Sequence, residues 1–426
     1  MTEQNPIFNL SVQTLPFCLD LLPPAACLVG GAVRDALLNC QRDYLDLDFV
    51  LPQSAIETAR KIANHYHAGF VVLDATRNIA RVVFKQGTVD FAKQEGESLE
   101  KDLQRRDFTI NAIAYNFHQQ KLLDPLEGLK DLQTKTLRMI SRKNLQDDPL
   151  RLLRAYRQAA QLNFTIEPKT RETIRDLASL INNVAAERVQ AELNYLLLNQ
   201  QGSYWLTEIG KDGLLKYWFS TINEDTYERL GKIDKTIEFL ENCLEKKQFK
   251  QLLNLESQAN IYSSSIIQRS KLASLVSHVP EKAEAELLNL KYSRNEIKTV
   301  LKVVNNLPWL KKNQGKIALR QLYFFFLEVG DSFPVLAIFA TAFNLNIDNI
   351  LSLINRYLNP QDQVAHPCPL VTGHDLIKHL KMKPSPQLGK LLTEISIARI
   401  EGKISTVEEA LEYAKIYQDF QEKREK

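Results

Sequence analysis

Glycine is scarce in this chain, with 15 in 426 residues, about half the usual share of roughly 7%. An all-β protein needs many tight glycine turns, so that architecture is disfavoured and long helices are expected. Cysteine is scarcer still: Cys18, Cys27, Cys40, Cys243 and Cys368 are odd in number and far apart, with no CxxC pair. Neither a disulfide framework nor a cysteine zinc site is supported, and a reducing, cytoplasmic setting fits. Long apolar runs are missing as well. The longest uncharged apolar stretch, residues 332–347, is 16 residues and contains Pro334. A bilayer span needs about 20, so this stretch reads as a buried core helix and no membrane association is expected. The start, MTEQNPIFNL, has neither a basic n-region nor an apolar h-region, so a secretory signal is not expected. There is also no excess of one charge: 54 Lys and Arg against 51 Asp and Glu give a net charge of +3. Any contact with nucleic acid must therefore come from local patches.

What is present is an ordinary globular composition, 44% hydrophobic and 25% charged, at a length that predicts two to four domains. The first 140 residues carry short β-rich runs at 27–29, 47–51, 70–73, 80–84 and 88–91, with a helical pattern at 55–65. Strands alternating with helices predict an α/β or α+β head. From about 145 the strand signal fades. Helical spacing of apolar residues appears at 150–162, 184–198, 226–249, 283–290 and 296–307. Prolines gather at 360–386 and suggest a separate terminal helical piece.

Residues 27–38 read CLVGGAVRDALL. An apolar strand runs into Gly30-Gly31 and a helix starts. Paired glycines allow a sharp turn and close approach of a ligand, and a helix N-terminus presents free N–H groups to a phosphate. Arg34, in the first turn, is placed for a bidentate phosphate contact. The plain alternative is a tight β–α turn. Within twenty residues follows DYLDLDFVL. Asp46 and Asp48 alternate on a strand and share a face. Adjacent carboxylates repel unless a cation lies between them, and oxygen ligands of this kind suit Mg2+. A solvated strand end is the alternative for either residue alone, and Asp43 reads as a turn residue. The phosphate turn and the carboxylate pair together describe metal-dependent nucleotidyl transfer. Asp90, in GTVDFA, is either a third carboxylate beside them or an exposed strand-end acid.

LVGGAVRDALL with DLD, then RRDFTINAIAYN at 105–116 and DDPLRLLRAYRQAAQL at 147–162, resembles the class II tRNA nucleotidyltransferase and bacterial poly(A) polymerase family in order and spacing. DPLEGLKDLQTKTLRMI (124–140), AAERVQAELNYLL (185–197) and VTGHDLIKHLKMKPSPQLGKLL (371–392) extend the resemblance. It is close over 27–200 and looser over about 200–370. It implies an α+β fold: a polymerase β-like head with a small mixed sheet (1–140), then an elongated all-α neck (141–200), body (201–330) and tail (331–426).

The resemblance implies roles for the remaining motifs. Arg105-Arg106-Asp107 would read the ribose 2′-hydroxyl and support the nucleotide; the alternative is a surface charge cluster. Asp148 and Arg151 would read the incoming base without a nucleic-acid template. Cytosine and adenine each present an amino donor beside a ring-nitrogen acceptor, which suits an accepting Asp and a donating Arg. Guanine and uracil present a carbonyl beside an N–H and are refused. Asp148 precedes Pro149 and could instead cap the helix, unless Asp147 takes that part. Arg154 and Arg157 fall on the same helix face, to hold phosphates or to pair with Glu187 or other acids. Two acid-free stretches, with Lys298, Lys302, Lys311, Lys312, Lys316 and Arg320 in one and Lys378, Lys381, Lys383 and Lys390 in the other, are candidate RNA surfaces; solvated helix faces are the alternative. His374-Asp375 lacks the further His and Asp residues of a metal phosphohydrolase and reads as a helix start.

The implied reaction is Mg2+-dependent attack of the tRNA 3′-hydroxyl on the α-phosphate of CTP or ATP. Only 14 residues separate Asp90 from Arg105. Family members that complete CCA usually carry a longer loop here, so a CC-adding enzyme, with a separate A-adding enzyme as its successor, is the expected subtype. The alternatives are a full CCA-adding enzyme, a poly(A) polymerase and an inactive RNA-binding protein on the same fold.

Overall fold

The computed structural model describes residues 12–40, 44–255, 265–380 and 384–424. Contacts divide the chain into two compact units: residues 1–192 with 211–214, and residues 193–210 with 215–426.

The first unit is built on a seven-stranded mixed sheet of order β3-β4-β5-β2-β1-β6-β7. Its strands are β1 Cys27–Val29, β2 Leu45–Leu51, β3 Gly69–Asp74, β4 Ile79–Phe84, β5 Gly87–Lys93, β6 Ala114–Asn116 and β7 Lys121–Leu123. β2 and β5 are parallel neighbours, with Asp48 opposite Asp90 and Phe49 opposite Phe91. Alternation therefore sorts the two strands into an acidic face and an aromatic one. Phe49 and Phe91 stack at 5.6 Å with Phe17 against them, fully inside the core. The carboxylates are thus held on a strand pair anchored from behind by aromatic rings. The pair also depends on Gly87: a Cβ there would lie 2.3 Å from the Leu45 carbonyl oxygen. Parallel pairing needs a crossover, supplied by α2 (Ala55–Tyr66) with β3 and β4. α2 buries Ala55, Ala59, Ile62 and Ala63, an i, i+4, i+7, i+8 stripe.

The other helices of this unit are α1 (Gly31–Leu37), α3 (Leu99–Gln104), α4 (Gly128–Gln133), α5 (Arg142–Asp147), α6 (Leu150–Leu162), α7 (Pro168–Leu177) and α8 (Ala186–Leu198), whose last residues belong to the second unit. The strands expected between 27 and 91 form, each within a few residues of its expected span. β6 and β7, and a two-residue parallel pair of 136–137 with 165–166, were not foreseen. Such short strands carry no readable alternation and exist through their partners.

The second unit is helical: α9 Gly202–Lys211, α10 Glu224–Cys243, α11 Lys246–Leu252, α12 Ser265–Leu275, α13 Pro280–Asn289, α14 Arg294–Lys312, α15 Leu319–Val329, α16 Phe333–Ala342, α17 Ile347–Leu358, α18 Gly373–Leu380, α19 Pro386–Ile400 and α20 Val407–Arg424. The helix expected over 226–249 is two helices, because Glu245 and Gln248 form a capping box that starts α11 afresh. α16 is apolar on all sides and packs against α10, α12 and α14. Residues 319–342 are long and apolar enough for a membrane span, but 72% of that window is buried in the protein. A core helix accounts for it. α16, just past the expected boundary at 330/331, thus packs with helices that precede it. A separate apolar cluster joins residues 371–414 through Val371, Leu376, Leu391, Ile395, Ala410 and Ala414.

Candidate active site

The turn after β1 is made by Gly30 at φ +76, a conformation that favours glycine. Its open side faces the chemistry: a Cβ there would stand 3.5 Å from Asp48 Oδ2 and 3.4 Å from Arg106 Nη1. Gly31 begins α1, so the turn, the carboxylate and an arginine of the 105–107 motif meet at one point. Asp46 is exposed, and one of its oxygens accepts a hydrogen bond from Thr88 Oγ1 at 3.1 Å. Asp48 is half-buried, and burial pushes its carboxyl up to about 6; Arg106 pulls it down while Asp46 and Asp90 push it further up. A carboxylate so placed favours a proton or a cation, and the two-carboxylate set fits a divalent ion that keeps waters and substrate phosphates as its other ligands. No cluster of three or more metal-binding side chains occurs among the described residues.

Asp90 lies beside Asp48 but is spoken for. Arg81, directly opposite on β4, donates Nε to Oδ1 at 2.7 Å and Nη2 to Oδ2 at 2.8 Å. Both oxygens of the expected third carboxylate are engaged by this fork. Arg34, expected on a phosphate, is turned inward: Nε donates to Asp35 Oδ1 at 2.8 Å and Nη1 to Asn111 Oδ1 at 2.7 Å. Asn111 passes the connection to Asp107 Oδ1 and Gln158 Oε1, each at 2.9 Å. Asp107 is buried, also accepts from the Phe108 N–H at 2.8 Å, and faces Arg154 Nη1 at 3.5 Å. Burial opposes its charge, but Arg154, Asn111 and that N–H outweigh burial and hold its carboxyl below the ordinary range. Asp107 therefore joins the 105–107 motif to α6 through a polar chain.

α6 carries the remaining arginines. Arg151 Nη1 donates to the Arg105 and Asn144 carbonyls at 2.9 and 3.0 Å. Asp148 lies 4.0 Å from Arg151 Nε, while the Arg188 fork reaches both Asp148 oxygens at 3.2 and 3.0 Å. Arg157 is engaged by Glu192 and, at 2.7 Å, by Gln161. Arg154 faces Glu192 at 3.6 Å. The acid serving these two arginines is Glu192, not Glu187. One helical turn on from Arg188, Glu192 points back to α6, whereas no such contact exists for Glu187 among the described residues.

A pocket of about 580 Å3 in the first unit is lined by Arg77, Glu95, Asp102, Arg105, Arg106, Asp107, Asp147, Asp148, Arg151, Arg154 and Arg188. It unites the RRD motif with Asp148, Arg151 and Arg154. Arg77 and Arg188 were missed by sequence reasoning. Arg188 had a signal, lying inside AAERVQAELNYLL; Arg77, on the β3–β4 turn, had none. The short 91–104 segment is folded into this wall: Glu95 pairs with Arg105, and the Glu95 N–H donates to Asp102 Oδ1 at 3.0 Å.

In the second unit, Lys298, Lys312, Lys316 and Lys378 are exposed. Lys302 is half-buried, and its Nζ donates to the Val329 carbonyl at 3.2 Å. Arg320 is neutralised by Glu394, with contacts of 2.8 and 2.6 Å. Lys311 lies over the Phe343 ring. Lys381, Lys383 and Asp43 lie outside the described residues. Asp375 accepts from the Thr372 N–H and hydroxyl and starts α18.

A glycine turn, two carboxylates on the central strand of a mixed sheet, and an arginine-rich pocket on an adjoining helix define the class of nucleotidyltransferase heads. Residues 26–138 match the poly A polymerase head domain, 163–226 the probable RNA and SrmB-binding site of polymerase A, and 263–414 the putative tRNA nucleotidyltransferase domain 2. The chain is 54% identical over 407 residues to the CC-adding tRNA nucleotidyltransferase of Synechocystis sp., spanning 94% of this chain and 96% of that one. It is 29% identical to the A-adding tRNA nucleotidyltransferase of Deinococcus radiodurans, over 91% and 94%. Its fold is similar to the Thermotoga maritima CCA-adding enzyme solved with tRNA, at a TM-score of 0.69 and 22% identity, covering 92% and 91%. The chain belongs to the tRNA nucleotidyltransferase and poly(A) polymerase family.

Proposed function

We propose that this protein adds the two C residues of the 3′-terminal CCA to tRNA in the cytoplasm, using CTP and no nucleic-acid template. The observation that carries the reading is the meeting of Gly30, Asp48 and Arg106 beside the pocket of Asp148, Arg151 and Arg154. The likeness to the Synechocystis enzyme over almost the whole chain supports the CC-adding subtype, as does the shortness of the 91–104 segment, which runs from β5 into α3 with only residues 94–98 between them.

Asp46 and Asp48 would hold Mg2+, which when bound lowers the pKa of the RNA 3′-hydroxyl and neutralises the triphosphate. The chain's own residues do the rest. Gly30 lets the triphosphate approach the backbone, and the α1 N-terminus offers its free N–H groups. Arg106 faces the same point as Asp48 and places a positive charge where the phosphates lie. Asp148 accepts from the cytosine amino group while Arg151 donates to the ring nitrogen. Asp107 and Arg34 act as positioning residues, tying α1 to α6. Asp90 keeps Arg81 fixed next to the carboxylate pair. Pyrophosphate leaves opposite the attacking hydroxyl, and no covalent enzyme intermediate is required.

Replacing Asp46 or Asp48 by Ala should reduce C addition at least 1,000-fold, about 4 kcal/mol of barrier, while tRNA binding by gel shift is retained. Persistent addition by either variant would remove the carboxylates from the reaction.

A further inference from the structure

Two cationic side chains and a histidine, from separate elements, converge on one aromatic ring in the second unit. Phe343 follows the end of α16 and is half-buried. Lys311 Nζ, at the end of α14, lies 4.2 Å from its ring centroid, and Arg229 Cζ, on α10, lies 5.1 Å away. The His278 ring meets it edge-on at 5.4 Å. No ion pair engages Arg229 or Lys311 among the described residues. Glu228, next to Arg229, is taken by Lys232 at 2.6 Å, and Asp225 is the other acid on that helix near it. Arg229 donates to Thr226 Oγ1 at 3.0 Å, but its buried Nε has no hydrogen-bond partner.

Cation–π attraction contributes roughly 0.5–1 kcal/mol at exposed sites. It offsets only part of the mutual repulsion of like charges gathered on one ring and the desolvation of a guanidinium. Burial and the Arg229 charge both push the Lys311 ammonium below its usual range, and His278 is lowered by burial and by both neighbours. Such a cluster is completed by an anion. We infer that Arg229 and Lys311, held against the Phe343 ring, form a docking site for a phosphodiester of the RNA substrate. The occupant's being RNA rests on the function proposed above. Lysine and arginine donors without an acidic partner, held in place on a ring, are what an RNA phosphate backbone engages.

The test uses the full chain and a fluorescent tRNA transcript, with anisotropy read across a salt series without CTP or metal. Arg229→Gln and Lys311→Gln should each weaken tRNA binding about fivefold at roughly 0.1 M salt and lower the log–log salt slope by about one. Phe343→Leu should weaken binding, and Phe343→Tyr should restore it, with thermal melts showing that both remain folded. CTP alone, in excess, should displace no tRNA from the wild type and should bind all variants equally. Unchanged affinity and slope in both cation variants would overturn the site, as would displacement of tRNA by free CTP. Because the readout is RNA binding, a wild-type protein that binds tRNA with these variant effects but adds no C supports the site and refutes the nucleotidyl-transfer reading. A wild type that adds C while both cation variants keep full affinity refutes the site alone.

Discussion

Asp148 meets Arg188, not Arg151, as its bidentate partner. Arg188 holds the plane of the carboxylate, and Arg151 is steadied independently by the Arg105 and Asn144 carbonyls. On the proposed function, base selection would rest on two separately anchored groups. Arg188→Ala should lower kcat/KM for CTP about tenfold, roughly 1.4 kcal/mol, and narrow the preference over UTP. Asp148→Ala should nearly abolish that preference. A CTP to UTP ratio unchanged by Arg188→Ala, measured with a tRNA acceptor, would show that Asp148 needs no such brace. That Asp148 and Arg151 share one pocket was legible, because DDPLR is a local pattern and resembles a family motif. Arg188 stands 40 positions away on another helix, and pairing across such a distance leaves no spacing to read. Arg34 and Asp107 were legible as important but not in their contacts: residue type announces charge, and the partner decides whether charge faces a ligand or a neighbour.

At the scale of elements, α6 is the hinge of the account. Its apolar stripe gave the span 150–162 from sequence alone, and its polar face reaches toward three other elements. Tyr156 donates to Asp212 Oδ2, which also accepts from Arg171 Nε at 2.6 Å, while Arg175 Nε donates to Asp212 Oδ1 at 2.6 Å. Asp212 thereby fastens its short segment to α6 and α7 within the first unit. Burial alone would raise this carboxyl, but the hydrogen bonds from Arg171, Tyr156 and Arg175 prevail and hold it below the ordinary range. A group with a lowered folded-state pKa gives stability that is complete above the unfolded value, about 3.9, and lost as pH falls through the folded one. Asp212→Asn should cost about 2 kcal/mol at pH 7, by urea unfolding of the first unit. The gap between wild type and variant should shrink by pH 3. A gap that persists at pH 3 would show that the ion pairs are not its source. None of this was legible, since Asp212 sits in a short unremarkable loop. β6 and β7 escaped because, unlike the apolar Cys27–Val29 of β1, Ala114–Asn116 and Lys121–Leu123 mix polar and apolar residues and are set by tertiary pairing.

For the whole molecule, a net charge of +3 leaves recognition of a polyanion to local arrangement. That arrangement differs from the linear count: Arg320, counted as part of an acid-free stretch, is paired with Glu394 from α19, whereas Lys311 lies with Arg229 and His278 around Phe343. Linear counting of charge sees neither event. The length of 91–104 was legible. Its attachment to the pocket wall through Glu95–Arg105 and Asp102 was not. The most direct measurement is extension of two tRNA transcripts, one ending at the discriminator base and one in CC, with CTP, ATP or both and Mg2+. A CC-adding enzyme should add two C residues to the first and none to the second, and should use ATP with neither. Addition of A to the CC-ended transcript would contradict that reading and make this a complete CCA-adding enzyme.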